Sequence, residues 1–495
     1  MDAAAAPGGQ TGHLPAKRGG TAGGLGWTPP PAGLELLQAI YVVRHGERAP
    51  VRMRLLNADP PMPIRWNFCH TARRFDSAVL RVLEDRGDGE ALVRGSLLPM
   101  VTSPRLHGLP PGYRLATSHA HIERAVEYAQ EGPTSTPGDE GDCLLGELTD
   151  QGRLSLLQLG MRMRELYVDQ LGLVPPVLRA SDAPMLYFRC TNVNRTLQSL
   201  EQLVTGFTEG SDVAPRAPDA FVPRIFVRNA PEENMAPQPQ SCPRLATLMQ
   251  RFEKEAAQLY NPQLRKLDED VCPHNNGMPP RVDGRPRLSG LVDSVRAAQA
   301  HGIPLPEPFN DHGVLDLMER AVVHEWFAGF RAQDPNERRQ YRRLAFGDML
   351  SSIYRRIEAK AAAPDADPLR LAVFLGHDAT LVSMLHSIDC FNGRWPAFGA
   401  ALSMELFRER SAGGTPPAAP KAPAPTKERD VLPEVPSGFC AYARVRCATD
   451  QQMYAAATAT RRCASPPVPR LATTSRGTPS SARWRPSAAR CMTGC

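Results

Sequence analysis

The feature that most constrains this chain is a run of eight residues, 36–43 (Leu-Leu-Gln-Ala-Ile-Tyr-Val-Val), followed without a break by Arg44-His45-Gly46-Glu47-Arg48-Ala49-Pro50. The run is short, almost continuously apolar and rich in β-branched side chains, the pattern of a strand covered on both faces in a parallel sheet. Ligands of open α/β sheets bind beyond the carboxyl ends of such strands, which puts Arg44, His45 and Arg48 where a ligand would sit. Two guanidiniums offer fixed forks of donors that match phosphate oxygens, and a histidine between fixed cations gives up its own proton more easily. A neutral imidazole can attack phosphorus while the arginines meet the charge that builds on the equatorial oxygens. For Arg-His-Gly by itself, an ion-pair cluster at a domain surface is the competing reading.

Such a site needs partners from other strand ends. Residues 369–375 (Leu-Arg-Leu-Ala-Val-Phe-Leu) form a second buried-strand candidate, running into Gly376-His377-Asp378-Ala379-Thr380 and then into an apolar segment with helical spacing. A carboxyl group beside a histidine at a strand end is placed to protonate a leaving alkoxide. Alone, the dipeptide is more often a helix N-terminal cap with its neighbour than a catalytic pair. A third segment, residues 185–196, places Arg189, Cys190 and Arg195 after another apolar stretch.

Residues 44–50 closely resemble the RHGxRxP signature of the histidine acid phosphatases, a branch of the histidine phosphatase superfamily. The resemblance implies that His45 is the nucleophile that becomes phosphohistidine and that Arg44 and Arg48 hold the phosphate. By the same resemblance His377 binds phosphate and Asp378 is the proton donor. Residues 185–196 are similar to the family's strand and RSTxxxRT loop, which implies that Arg195 is a third phosphate-binding arginine. Arg189 is expected to be structural, and Cys190 stands where the family usually has serine. Residues 146–152 resemble the family's GxLTxxG turn, with Thr149 as the N-cap of a long scaffold helix. Residues 395–406 resemble the WPPF and MELY segment of the lysophosphatidic acid phosphatase-like group, and Ser241-Cys242-Pro243 resembles its SCP triplet. The implied fold is α/β: a three-layer sandwich around a mostly parallel sheet, with an inserted helical cap domain.

The expected organisation follows. Residues 1–35 are a disordered arm, 36–210 and 347–408 the catalytic domain, and 211–346 a mainly helical cap with amphipathic stretches at 245–260, 315–330 and 337–361. Residues 409–438 are a Pro/Ala-rich insertion and 439–495 an irregular Arg-rich tail, with 57–145 read as loop-rich. The tail carries nine arginines against one acidic residue from Cys440 on, a net of +8. The whole chain is +6, so residues 1–439 sum to −2 and the basic balance says nothing of the catalytic body. Past about Val445 the tail departs from the family pattern and reads as disordered or as a misread frame. Without lysines it makes a weak case for nucleic acid, and no nucleic-acid partner is expected.

At 495 residues and 42% hydrophobic content, the chain can bury a large core. No apolar run approaches the roughly 20 residues of a membrane helix. The first 35 residues lack the apolar region of a secretory signal, and Lys17 and Arg18 give only a faint mitochondrial hint. Cys69, Cys143, Cys190, Cys242, Cys272 and Cys390 show no paired or metal-ligand spacing and are read as mostly free thiols of an intracellular, cytoplasmic protein. His119, His121, His274, His312 and His324 fit no metal site, and no metal or cofactor is expected. The expected activity is hydrolysis of small phosphate monoesters, with lysophosphatidic acid as the implied substrate. A phytase or broad phosphomonoesterase, and a catalytically inactive phosphate-binding protein, are the alternatives. A mutase-like transferase is disfavoured by the RHGxRxP form and the His-Asp pair.

Overall fold

The computed structural model describes residues 33–84, 113–128, 136–208, 219–409 and 439–446. Its strands are β1 (Leu34–Arg44), β2 (Arg74–Glu84), β3 (Tyr113–Glu123), β4 (Glu127–Tyr128), β5 (Thr136–Pro137), β6 (Leu186–Cys190), β7 (Ile225–Phe226), β8 (Leu371–Gly376), β9 (Ala401–Glu409) and β10 (Phe439–Arg446). The helices are α1 (His70–Arg73), α2 (Asp150–Arg164), α3 (Asn194–Thr208), α4 (Pro243–Leu264), α5 (Asp268–Val271), α6 (Leu288–Ala300), α7 (His312–Phe327), α8 (Pro335–Ala362) and α9 (Asp378–Ser387).

The main sheet has the order β10-β9-β1-β8-β6-β7. Strands β1, β8, β6 and β7 are parallel neighbours, while β9 runs antiparallel between β1 and β10. Both faces are covered, as the apolar runs demand. Ala39, Tyr41, Val43, Val373 and Leu375 pack toward α2 and α3. Ile40, Val42, Ala372, Phe374 and Leu402 face the opposite layer, with α8, α9 and part of α4. A separate core gathers α4, α6 and α7 with residues 49–66, and this is the helical cap.

Register decides which loops meet. Arg44 is opposite Gly376 on β8, and Cys190 is opposite Leu375. The segments after β1, β8 and β6 therefore leave the sheet at one edge. Antiparallel β9 begins at the same edge, since Ala401 pairs with Val43, so residues 395–400 arrive there as well. The loop after β1 lies flat on the start of α2: a Cβ on Gly46 would stand 2.4 Å from the Gly152 carbonyl oxygen, and one on Gly152 would stand 2.2 Å from that of Glu47. Thr149 caps α2 as expected, its hydroxyl accepting from the Gly152 N–H.

The structure departs from the sequence reading in four places. Residues 439–446, assigned to the irregular tail, form edge strand β10 along β9. Residues 57–145, read as loop-rich, contain the paired strands β2 and β3; 28 residues separate them, and a hairpin is legible only when a short turn joins its arms. The cap boundary at 346 falls inside α8, which runs on to Ala362. Cys69 and Cys143 are a disulfide rather than free thiols. They meet because Cys69 N–H donates to the Gly141 carbonyl and Cys143 N–H to that of Trp66, a pairing across 74 residues that no local spacing announces. Free-thiol usage therefore no longer supports an intracellular compartment through this pair. Cys190, Cys242, Cys272 and Cys390 are free. The expected arm, except for residues 33–35, the insertion at 410–438 and the tail beyond 446 lie outside the described residues. Among the described residues, no helix is long and apolar enough to cross a membrane.

Candidate active site

All six residues singled out from the sequence, Arg44, His45, Arg48, Arg195, His377 and Asp378, come together at the shared sheet edge. His45 is buried, its backbone N–H donating to the Gly376 carbonyl and its own carbonyl accepting from Gly399 N–H. Its Nδ1 lies 2.9 Å from the Gly46 carbonyl oxygen. A carbonyl can only accept, so Nδ1 carries the proton and Nε2 keeps its lone pair. Burial first, then Arg44, Arg48, His377 and Arg195, hold the His45 pKa well below the usual imidazole range. The ring is therefore neutral at ordinary pH.

Arg44 is tied by its backbone to Ala400 and by its guanidinium to the Pro396 carbonyl and to Asp378, at 2.9 Å. Phe398 lies beneath the clamp, 4.2 Å from the Arg44 guanidinium carbon, 5.4 Å from that of Arg48 and 5.9 Å from the His45 ring centre. Arg195 stands in the first turn of α3, and burial beside Arg48 pushes its pKa down to about 10. The Nε atoms of Arg48 and Arg195 are buried donors with no hydrogen-bond partner among the described residues. Donors left over beside the nucleophile are available to an anion. The amino termini of α3 and α9 add their positive ends.

His377 faces His45 edge-on with ring centres 5.6 Å apart, and its Nε2 lies 3.0 Å from the Thr191 hydroxyl. Burial and the neighbouring Arg195 lower its pKa to about 4. Asp378 opens α9. Burial alone would raise its pKa, but Arg44, His377, Arg48 and the Ala379 N–H outweigh it and leave the carboxyl below its usual value. Arg189, expected to be structural, is bound by Glu233 at 2.6 Å and Asn234 at 2.8 Å. Burial first raises the Cys190 thiol to about 12, so it stays protonated.

Sequence reasoning missed Asp293. This residue comes from cap helix α6 and grips both terminal nitrogens of Arg48, at 2.7 and 3.3 Å, while accepting from Val51 N–H. Nothing local marks it, because a lone aspartate on an amphipathic helix looks like any solvated side chain. Its removal leaves buried Arg48 without its carboxylate. Asp293→Asn is expected to lower stability by up to roughly 3 kcal/mol, with added inorganic phosphate raising the melting temperature more in the variant than in the parent. Thermal melts with and without phosphate check this; equal phosphate gains would contradict it.

A cavity of about 1610 Å³ lies beside this edge, reaching the site through Arg44, the one residue of the six in its wall, with Trp395, Phe398, Ile303, Leu305 and Arg296 among its other lining residues. The arrangement offers a nucleophile with a free lone pair, a three-arginine clamp and a carboxyl group beside it, which suits transfer of a phosphoryl group.

Comparison with known proteins points the same way. A Schizosaccharomyces pombe protein named as a probable acid phosphatase is 35% identical over 382 residues, covering 76% of this chain and 73% of its own length. Counting factor 60 of Dictyostelium discoideum is 28% identical over 54% of this chain and 61% of its own. Human lysophosphatidic acid phosphatase type 6 is 26% identical over 54% of this chain and 58% of its own, so the chain spans somewhat over half the length of these last two. The profile of the histidine phosphatase superfamily (branch 2) matches residues 35–417. This chain therefore belongs to the histidine phosphatase superfamily, in its second branch.

Proposed function

We propose that this acid phosphatase hydrolyses phosphate monoesters in two steps through a phosphohistidine on His45. In the first, the Nε2 lone pair bonds to phosphorus as the P–O bond to the alcohol breaks. The Asp378 O–H bond breaks with it, and its proton goes to the departing oxygen. In the second, water attacks phosphorus and gives a proton back to Asp378 as the N–P bond breaks, releasing phosphate and restoring both residues. Arg44, Arg48, Arg195 and His377 hold the phosphoryl oxygens throughout. The observation that carries this reading is the His45 tautomer, fixed by the Gly46 carbonyl with Nε2 free among the three arginines.

The substrate class we favour is a monoester with an apolar tail, lysophosphatidic acid above all. Supporting it are Ile303, Pro304, Leu305 and Leu315 in the cavity wall and the likeness to the human enzyme of that name. Arg296 and Arg394, also in that wall, are already bound by Glu319 and Asp316, which leaves less charge for a polyphosphate such as phytate.

The test is a panel of lysophosphatidate, phytate and p-nitrophenyl phosphate measured across pH on purified protein. Lysophosphatidate should show the largest kcat/KM. For the alkyl esters lysophosphatidate and phytate the rate should climb as pH falls, because the acid must be protonated to donate and its carboxyl sits low, while His45 stays neutral well below pH 6.5. A preference for phytate would overturn the substrate assignment, and a rate that rises with pH would overturn the role of Asp378.

A further inference from the structure

The carboxyl group of Asp378 is held by more than its arginine. Its Oδ2 accepts from Arg44 Nη2 at 2.9 Å and from the indole Nε1–H of Trp395 at 3.2 Å, while Oδ1 accepts the Ala379 N–H at 2.8 Å. A carboxylate oxygen offers two lone-pair directions. Both on Oδ2 are taken; one on Oδ1 remains. Trp395 is itself fixed: its backbone N–H donates to Oε1 of buried Glu319 at 2.9 Å, and Arg296 binds the other oxygen of that carboxylate. Trp326 and Phe327 pack against the indole, with ring centres 5.9 and 5.7 Å away. Glu319, Trp326 and Phe327 all belong to cap helix α7, so the cap reaches the acid through one indole.

From this geometry we infer that Trp395 is a positioning residue for Asp378, pinning Oδ2 so that the acid delivers its proton from Oδ1. The inference rests on the hydrolase reading above. Charged groups around the carboxyl are Arg44 at the end of β1, Arg48 from the loop after it, Arg195 from α3 and His377 beside it, with Asp293 of α6 on Arg48. All of these stay in place when the indole N–H is removed. A hydrogen bond to the ionised carboxylate is then lost, which favours its protonated form.

The test is the pH profile of kcat for an alkyl phosphate, whose poor leaving group needs the proton, in Trp395→Phe, which keeps an aromatic wall and loses the donor. The alkaline limb should move up by about one pH unit, with kcat at the parent's optimum falling several-fold. Glu319→Gln, which leaves the indole but loosens its anchor, should shift the limb in the same direction by less, and stands in if the first variant does not fold. A profile that stays put in a folded variant, with only KM changed, would reduce Trp395 to a cavity wall and overturn the inference. A parent protein that hydrolyses nothing would instead sink the hydrolase reading.

Discussion

Replacing His45 with alanine should lower kcat by on the order of 10⁴ or more, because the covalent step then has no nucleophile and cannot be split in two. The expectation is strong because of where the imidazole sits. It is buried, its Nδ1 proton is committed to the Gly46 carbonyl, and both neighbours along the chain are tied down, Arg44 to Ala400 and Gly46 to the Ser199 hydroxyl. No other described histidine can take over without the loop moving, since His377 is committed to Thr191. Rapid acid-free quenching with labelled substrate should trap label on the parent protein and none on the variant. Turnover that survives the substitution would end the phosphohistidine mechanism, even if the family membership stood.

Asp378→Asn should cost about 10²–10⁴ in kcat for alkyl phosphates and far less for p-nitrophenyl phosphate, whose leaving group needs no proton. The amide is nearly the same size as the carboxyl, and its oxygen can still accept from Arg44 and Trp395, so phosphate binding should survive. Removing the negative charge also relieves Arg44 of its counter-ion, which should tighten binding of inorganic phosphate. A series of esters graded by leaving-group pKa reads the effect as a steeper dependence in the variant. Equal losses on good and poor leaving groups would make Asp378 an anchor for Arg44 rather than an acid.

What could be read from residues alone divides along physical lines. The strand at β1 and the strand at β8 were legible because buried parallel strands are unbroken apolar runs, and their charged exits mark the ligand edge without any contact map. Arg195 was legible through a motif, and the structure puts it at the same edge. Strand β10 was not, because its residues sit behind a Pro- and Ala-rich segment and carry no clean alternation. Asp293 and Glu319 were invisible for a different reason: each lies on an amphipathic cap helix, and only tertiary packing carries them to Arg48 and Trp395. The disulfide between Cys69 and Cys143 belongs with them, as a contact made by the fold and not by spacing.

The ion pairs that Arg44 makes with Asp378 and Arg48 with Asp293 give the resting site the character of an ion exchanger. Three guanidiniums face two carboxylates, so the clamp is nearly neutral in the resting site, and a phosphate dianion would share these guanidiniums with the internal anions. Chloride or a monocarboxylate, with one charge and fewer acceptor oxygens, is therefore expected to gain less than a multidentate dianion from competing with the two aspartates.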